Sequence, residues 1–218
     1  MWDRPGGRSV PLESMEWLRV LRPATFALST VGDRIPSVKF ARPVCSVIDR
    51  LANRVTNNPF RFTAQATTRS VDVDLNDDLL VKYLLEFASA YSLRPVWDTR
   101  NLKWLLSRAA ENRRHGAPVG RAVYGRGAAP LGCYLYYTRP HGVARVLQVM
   151  ASSKAVGAVL DDLFMHANQN RCAAVRGRTH SRHMNALFQR ECIFSIAVRS
   201  LCTHATPTWS GPLARAKL

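Results

Sequence analysis

The clearest pattern of apolar and polar positions lies in the second half of the chain. Residues 121–124 and 131–137 are two runs rich in β-branched and aromatic side chains, and the turn between them contains two glycines and a proline. This arrangement predicts a β-hairpin. Residues 143–150 form a third run of this kind without an internal breaker. The pattern therefore predicts three consecutive strands.

A helical pattern follows the third run. Its apolar residues recur at intervals of three, one, three, one and three positions, as Val156, Val159, Leu160, Leu163, Phe164 and Ala167. This spacing predicts one apolar stripe on a helix. Ser152 and Ser153 precede the stripe and are candidates for the N-terminal cap. A strand that leads through a polar turn into a helix favours an anion site, because the first helical amides have no partners inside the helix and its dipole attracts negative charge.

A second strand and helix complete this region. Residues 173–175 predict a short strand, and residues 193–198 predict the last clear strand of the chain. Between them, Ser181 begins a helical pattern. The apolar residues on one side of this helix are Met184, Leu187 and Phe188.

The first half of the chain is less regular. Residues 1–13 are rich in glycine, proline and arginine, and we expect them to be disordered. Residues 14–32 predict one or two apolar strands broken by Pro23. Residues 33–74 contain three prolines among polar patches and predict an irregular connector, and residues 75–114 predict two helices separated by a proline.

Both of these helices have a candidate cap and an apolar stripe. Asn76 or Asp77 precedes the first helix, and Asp98 precedes the second. The stripe of the first helix comprises Leu79, Leu80, Tyr83, Leu84, Phe87 and Tyr91. The stripe of the second comprises Leu102, Leu105, Leu106 and Ala109.

The composition is that of a globular protein. Of 218 residues, 47% are hydrophobic, which is enough for a core, and the length predicts one domain plus a fragment. The sequence contains no apolar run of about 18 residues and no N-terminal hydrophobic stretch of signal-peptide length, so we expect no membrane span and a cytoplasmic location. Five cysteines without a CxxC pair predict reduced, mostly buried thiols.

The net charge of +16 raises the question of nucleic-acid binding. The 31 basic residues are spread along the chain rather than gathered in one tract. The sequence has no zinc-finger spacing, RNA-binding aromatic signature or homeodomain pattern. We therefore expect no specific nucleic-acid function, although a basic surface attracts polyanions and such binding stays open.

The order of these elements and several stretches of sequence resemble the GNAT superfamily of acyl-CoA-dependent N-acyltransferases. The stretches are residues 93–109, 130–152, 159–178 and the segment that continues to Phe194. More narrowly, the chain resembles the C-terminal unit of bacterial proteins that carry two such units in tandem, and residues 17–28 resemble the tail of the preceding unit.

The resemblance implies an α/β fold with a mixed central sheet flanked by helices. It also implies a division of the chain. The parts are a disordered N-terminus at 1–13, a remnant of the preceding unit plus connector at 14–74, a GNAT-like domain at 75–202 and an irregular tail at 203–218. The tail contains two prolines, so the last strand of the sheet is either missing or replaced by a variant of it.

The resemblance further implies a cofactor site. Acetyl-CoA or another acyl-CoA would lie as co-substrate in a splay between two central strands. The main chain would hold its pantetheine arm, and the amides opening the next helix would hold its pyrophosphate. The implied cofactor-binding residues are Leu147, Val149, Ala151, Ser152, Ser153, Lys154, Val156 and Gly157. An amine of a small molecule or peptide would attack the thioester directly, so catalysis would be mainly positioning, assisted by proton transfer.

Two positions depart from the family's usual pattern. Lys154 and Gly157 keep a positive charge and a close backbone approach in the pyrophosphate loop, but Val159 stands where a small residue is usual. In the later helix, Phe188 stands where active members often have a tyrosine, and phenylalanine has no proton to give. The sequence thus predicts an acyl-CoA-dependent N-acyltransferase of unknown acceptor, either active or degenerate. The alternative is a catalytically inactive domain that binds a partner or ligand.

Several other polar residues have ordinary structural interpretations. His180 and His183 straddle a helix start without further ligands nearby, so we expect no metal site. Asp161 and Asp162 are adjacent on a helix and predict a solvated face. Glu86 is expected to be a surface charge.

Two further groups of residues are candidate ligand contacts. Tyr134 and Tyr136 share one face of a strand and Tyr137 lies on the other, and sheet packing is favoured over a substrate pocket for all three. Arg176 and Arg178 end a strand, where they either recognise an anionic group or form a surface turn.

Overall fold

The computed structural model describes residues 15–32, 45, 48–49, 51, 69–73, 78–89, 96–125 and 129–196. The strands are β1 (Met15–Val20), β2 (Arg69–Val73), β3 (Ala117–Tyr124), β4 (Pro130–Thr138), β5 (Val143–Ala151), β6 (Ala174–Arg178) and β7 (Ile193–Ile196). The α-helices are α1 (Pro23–Gly32), α2 (Asp78–Ala88), α3 (Thr99–Glu111), α4 (Val156–Gln169) and α5 (Met184–Phe188). Short 3-10 turns at Arg113–His115 and Ser181–His183 precede β3 and α5.

The seven strands within the described residues form one sheet in the order β2-β3-β4-β5-β6-β1-β7. Neighbouring strands are antiparallel except β5 and β6, which are parallel and are connected through α4. One hydrophobic cluster packs α4 against one face of the sheet, and a second packs α2 and α3 against the other. The predicted α/β fold class, a mixed sheet flanked by helices, is confirmed.

Strand β4 lies at the centre of both clusters, and most of its residues are buried. Tyr134 and Tyr136 contribute to the cluster under α4. Tyr137 faces the opposite layer, where its hydroxyl donates to the carbonyl of Ala109 in α3 at 2.8 Å. The predicted alternation of the three tyrosines is therefore confirmed, and it follows from the two-residue period of a strand.

Strand β1 lies between β6 and β7 and is antiparallel to both. Trp17 is opposite Gly177 on one side and Phe194 on the other. Both β1 and β2 precede residue 75, where the sequence predicts the domain to begin, yet they share the sheet with the later strands. The partner of β7 is therefore a strand that lies far from it in the sequence. The predicted tail at 203–218 lies outside the described residues.

The second strand predicted after Pro23 is wrong, because α1 begins at that proline. Proline is well tolerated at the first helical position, where its missing N–H costs nothing. The carboxylate of Asp49 accepts from the next amides, those of Ala24 at 2.7 Å and Thr25 at 3.1 Å. A distant carboxylate thus supplies the cap that local sequence does not show.

The predicted caps have mixed outcomes. Asp98 caps α3, since its side chain accepts from the amide of Asn101 at 2.6 Å. The serine cap of α4 is wrong, because the helix starts after Ala155, which makes no side-chain cap bond. Asn76 and Asp77 lie outside the described residues.

The apolar stripes are buried in large part. Every residue of the α4 stripe is buried in the core, and several residues on either side of the stripe are half-buried. Leu79 and Leu105 were predicted to face inward but are exposed, since each lies at the border of its stripe. Phe188 is also exposed, at 59%, whereas its neighbour Leu187 is buried.

Candidate functional site: a cleft between two parting strands

Strands β5 and β6 pair over a short length and then separate. The register joins Val143 to Ala174, Ala144 to Val175 and Arg145 to Arg176, and no later pair follows among the described residues. Beyond Arg145, β5 continues to Ala151 with this edge open. Main-chain groups on an open edge must find other partners, such as water or a ligand.

The opposite edge of β5 is paired with β4 up to the last residue of β5. The register runs to Gly132 opposite Ala151, with one irregularity. Leu135 is opposite Gln148 and Tyr136 is opposite Val146, so Leu147 is left over in a β-bulge. Bulges bend a strand and increase its local twist. The bulge therefore lies where β5 turns away from β6.

The space between the parted strands is a cleft of about 440 Å³. It is lined by the separated parts of β5 and β6, by Glu16 and Trp17 of β1, and by His180 and His183 before α5. Its size is within the range of small-molecule sites. The contribution of β1 was missed from the sequence, because residues 16 and 17 meet β6 only through long-range pairing.

Trp17 forms an inner wall of the cleft. Its indole Nε1 donates to the carbonyl of Arg178 at 3.0 Å, and its ring meets Phe164 edge to face at 5.7 Å. The ring also lies against Gly177, where an added Cβ would come 2.6 Å from the Trp17 Cζ2 atom. Glycine at this position therefore allows the indole to pack flat on β6.

The predicted cofactor-binding residues lie along β5 and the turn that follows it. Leu147 and Val149 line the cleft. Ala151 is buried at the end of β5, whereas the turn residues Ser152, Ser153 and Lys154 are exposed.

The start of α4 presents main-chain donors. Among the described residues, no backbone carbonyl accepts from the amides of Ser153, Lys154 and residues 156–158. Val156 and Val159 are buried in the core under the sheet, so their side chains do not fill the turn. Open amides at the start of a 14-residue helix form a region of positive potential.

Gly157 lies against a guanidinium that sequence reasoning missed. An added Cβ on Gly157 would come 2.7 Å from Nη2 of Arg190. Arg190 donates through Nε and Nη2 to the two carboxylate oxygens of Asp161, at 2.7 and 2.6 Å, and through Nη1 to the carbonyl of Ala186. This bidentate pair ties α4 to the end of α5.

The predicted solvated face is therefore wrong for Asp162, whereas Asp161 is partly exposed. Asp162 is fully buried and accepts from the hydroxyl of Tyr134 at 2.7 Å. The Nε atom of Arg121 on β3 lies 3.9 Å from the same carboxylate. Burial raises the pKa of Tyr134 far above its usual value, and the neighbouring carboxylate raises it further. Tyr134 is thus a protonated donor to the buried carboxyl group of Asp162.

The thiols are buried rather than reactive. Cys133, Cys172 and Cys192 are buried, as the composition predicts, and Cys45 is half-buried. Burial raises the pKa of Cys133 to about 12 and that of Cys192 also to about 12. Neither is a thiolate at neutral pH, so neither is a nucleophile for acyl transfer.

The described residues include neither a cluster of metal ligands nor a helix that could cross a membrane. Over those residues, no three histidine, cysteine, aspartate or glutamate side chains come together in a way that could hold a metal ion. The helices within the same part of the chain are too short or too polar to cross a membrane.

No protein-family model matches this sequence, and no curated protein matches it. Among solved structures, a conserved protein of unknown function from Staphylococcus epidermidis is similar over 83% of this chain, with 8% identity and a TM-score of 0.45. The match spans 57% of the length of that protein.

Two acetyltransferases are also similar in structure. One is from Trypanosoma brucei, with 14% identity and a TM-score of 0.38 over 56% of this chain and 89% of its own. The other is an aminoglycoside acetyltransferase from an uncultured soil metagenomic sample, in complex with sisomicin, with 12% identity and a TM-score of 0.38 over 59% of this chain and 89% of its own. The fold is consistent with a GNAT-like arrangement, but similarity at this level assigns no activity and no residue role. The tandem arrangement stays a prediction.

Proposed function

We propose that the protein is an acyl-CoA-dependent N-acyltransferase that binds its co-substrate in the cleft between β5 and β6. One observation carries the proposal: the two strands part beside the open amides of α4. An extended pantetheine arm can pair with the unpaired edge of β5, and a diphosphate can accept from the amides of residues 153–158. Lys154 adds a positive charge at the same turn.

The reaction would be a direct attack by an amine on the thioester carbonyl. The C–N bond forms, the C–S bond breaks, the amine loses a proton and the departing thiolate gains one. Apart from arginines, the ionisable residues that line the cleft are Glu16, His180 and His183. An imidazole can accept and donate a proton near neutral pH, so His180 and His183 are the candidates for proton transfer.

Calorimetry with acetyl-CoA tests cofactor binding without knowledge of the acceptor. We expect saturable binding and a raised melting temperature for the wild type. Lys154→Glu should weaken binding about tenfold or more, because it places a negative charge beside the diphosphate. The same charge near a helix N-terminus does not destabilise the fold, so lost binding cannot be attributed to unfolding.

Lys82→Glu is the matched control, since Lys82 is exposed on α2 and makes the same change of charge. It should bind acetyl-CoA as the wild type does. Gly157→Glu should also abolish binding, but its new side chain would meet Arg190, so it disturbs the Asp161 pair as well. No heat and no change in melting at millimolar acetyl-CoA would contradict the proposal.

The second candidate function is a catalytically inactive domain that binds a ligand or partner. Phe188 favours it, because this residue cannot protonate a thiolate and is 59% exposed outside the cleft. Release of free thiol from acetyl-CoA in the presence of amines separates the two. Binding without amine-dependent release over a broad amine panel would support the inactive domain.

A further inference from the structure

Four exposed arginines lie at one end of the sheet, where β3 and β5 begin and β4 ends. Arg113 and Arg114 belong to the 3-10 turn before β3, and Arg139 follows β4 directly. Arg145 is the third residue of β5. We call these four residues the basic patch.

The turns that carry three of these arginines are neighbours. Ala117 at the start of β3 is opposite Thr138 at the end of β4, so the turn before β3 lies beside the turn after β4. An added Cβ on Gly116 would come 3.6 Å from the main-chain nitrogen of Arg139. The arginines of both turns are therefore held next to each other by strand pairing.

The fourth arginine reaches the same place from β5. Arg145 is directly opposite Tyr137 of β4, so the two side chains share one face of the sheet. The ring centroid of Tyr137 lies 5.8 Å from that of His115 in the turn before β3. Burial lowers the pKa of His115, and the charges of Arg145, Arg114 and Arg139 lower it further. One imidazole thus has three arginines of the patch as neighbours.

Carboxylates do not offset the charge of the patch within the part of the chain that the structure describes. There, the four arginines form no ion pair. Glu111, which precedes the patch in the sequence, pairs with Arg108 at 2.8 Å. Glu16, which lines the cleft together with Arg145, accepts from Arg176. The patch therefore presents exposed guanidinium groups of one sign.

An exposed indole lies on the helix that leads into the patch. Trp104 of α3 is 57% exposed, and α3 ends at Glu111, just before the turn with Arg113 and Arg114. A rise of 1.5 Å per residue places Trp104 about 10 Å before the end of the helix. The guanidinium carbon of Arg108 lies 5.8 Å from the centre of the Trp104 ring. Exposed aromatic rings near arginines are platforms on which nucleic-acid bases stack.

We propose that the basic patch and Trp104 form a surface that binds single-stranded nucleic acid through its phosphates and one stacked base, without readout of sequence. This inference does not depend on the proposed acyl transfer. Guanidinium groups bind phosphates through charge-assisted, often bidentate hydrogen bonds. The net charge of +16 attracts a polyanion from all sides, and the patch determines where it binds. An acidic peptide would contact the arginines but would have no base for Trp104.

Fluorescence anisotropy of a labelled 12-nucleotide oligo(dT) measures this binding. We expect a Kd between about 1 and 100 μM at physiological salt, as is usual for binding without sequence readout. The logarithm of the affinity should fall with the logarithm of the salt concentration with a slope of about −3, if each patch arginine neutralises one phosphate. Oligo(dA) should bind within a few-fold of oligo(dT). The absence of binding at about 50 mM salt would overturn the proposal.

Paired variants separate the patch from the net charge. Arg114→Gln/Arg139→Gln should weaken oligo(dT) binding about tenfold and make the salt slope shallower by about 1.4. The matched control is Lys82→Gln/Lys154→Gln, which removes the same charge from exposed positions on α2 and after the far end of β5. It should change the affinity less than twofold. Equal losses in the two double variants would contradict the assignment, because binding would then follow net charge alone.

A variant of the indole tests the stacked base separately. Trp104→Ala should weaken oligo(dT) binding about tenfold and leave the salt slope unchanged, because stacking neutralises no phosphate. The neighbouring Leu105→Ala removes another exposed apolar side chain of α3 and should have no effect. Inorganic polyphosphate, which has no bases, should bind the wild type and the Trp104 variant equally. The single-strand assignment is overturned if Trp104→Ala leaves oligo(dT) binding unchanged, or if polyglutamate binds as tightly as oligo(dT).

Discussion

The two edges of β5 differ although they belong to the same strand. Towards β4, the register continues from Arg145 to Ala151 with a single bulge. Towards β6, it ends at Arg145, and the cleft begins there. The difference lies in the neighbours, because β4 follows β5 closely while β6 diverges. The cleft is thus formed where one edge of β5 is open while its other edge stays paired.

On the side of the sheet where β5 pairs with β4, buried polar contacts add to the pairing of the strands. Asp162 of α4 reaches under the sheet to Tyr134 of β4 and Arg121 of β3. Where β5 and β6 separate, the charged residues Arg145, Arg176 and Arg178 are exposed. Polar groups are therefore buried within the protein on one side and exposed to solvent on the other.

The largest expected effect comes from removing the buried carboxylate. Asp162→Ala leaves Arg121 in a mostly buried position without its carboxylate, so it should lower the free energy of unfolding by about 3 kcal/mol. Urea unfolding followed by circular dichroism measures this change. The neighbouring Asp161→Ala breaks a partly exposed pair and should cost about 1 kcal/mol. Equal losses in the two variants would show that burial does not distinguish these aspartates.

A smaller loss of stability is expected on the side of the sheet where β6 separates from β5. Gly177→Ala places a methyl group 2.6 Å from the Trp17 ring, which must then move from β6. Overpacking of this kind costs about 2 kcal/mol. Trp17 fluorescence should shift with the loss of stability, because the indole also loses its bond to the carbonyl of Arg178. Gly125→Ala meets only ordinary contacts and serves as the control. Unchanged stability and fluorescence in the Gly177 variant would refute the close approach.

The smallest effect concerns the pH dependence of stability, through a hydrogen bond between Tyr83 of α2 and Tyr124 of β3. Hydrogen bonding to Tyr124, followed by burial, raises the pKa of Tyr83 to about 12. Because the folded pKa is above the unfolded value near 10, this contribution to stability is full below pH 10 and is lost as the pH rises towards 12. Tyr83→Phe should cost about 1 kcal/mol at pH 8, and the difference should disappear by pH 12. A constant difference across this range, measured by urea unfolding, would contradict the hydrogen bond.

Local sequence patterns predicted the helices and strands better than they predicted which elements pack against one another. The stripe from Val156 to Ala167 and the cap at Asp98 depend on residues close together in the chain, and both are confirmed. The burial of Asp162 depends on Arg121 and Tyr134, which come from other strands, so helical spacing alone indicates a solvated face. Periodicity fixes the phase of a helix but does not identify what lies beyond it.

The lining of the cleft could be anticipated only in part. The cofactor-binding residues implied by the resemblance lie close together in sequence, in β5 and the turn after it, and their role stays a prediction. Glu16 and Trp17 reach the cleft only because β1 pairs with β6, a contact across 161 residues between Trp17 and Arg178. Arg190 approaches Gly157 through the packing of α5 on α4. No pattern along the chain reveals such approaches before the topology is known.

The place of β1 has a consequence for synthesis. Its two partners, β6 and β7, are translated near the other end of the described chain, so a nascent polypeptide exposes the Trp17 strand until almost all of the sheet has left the ribosome. During that interval, an apolar strand with both edges unpaired is open to wrong partners. Although β1 precedes the other described strands in the chain, it is therefore among the last of them to be enclosed, and early chaperone protection of this segment would favour a correct fold.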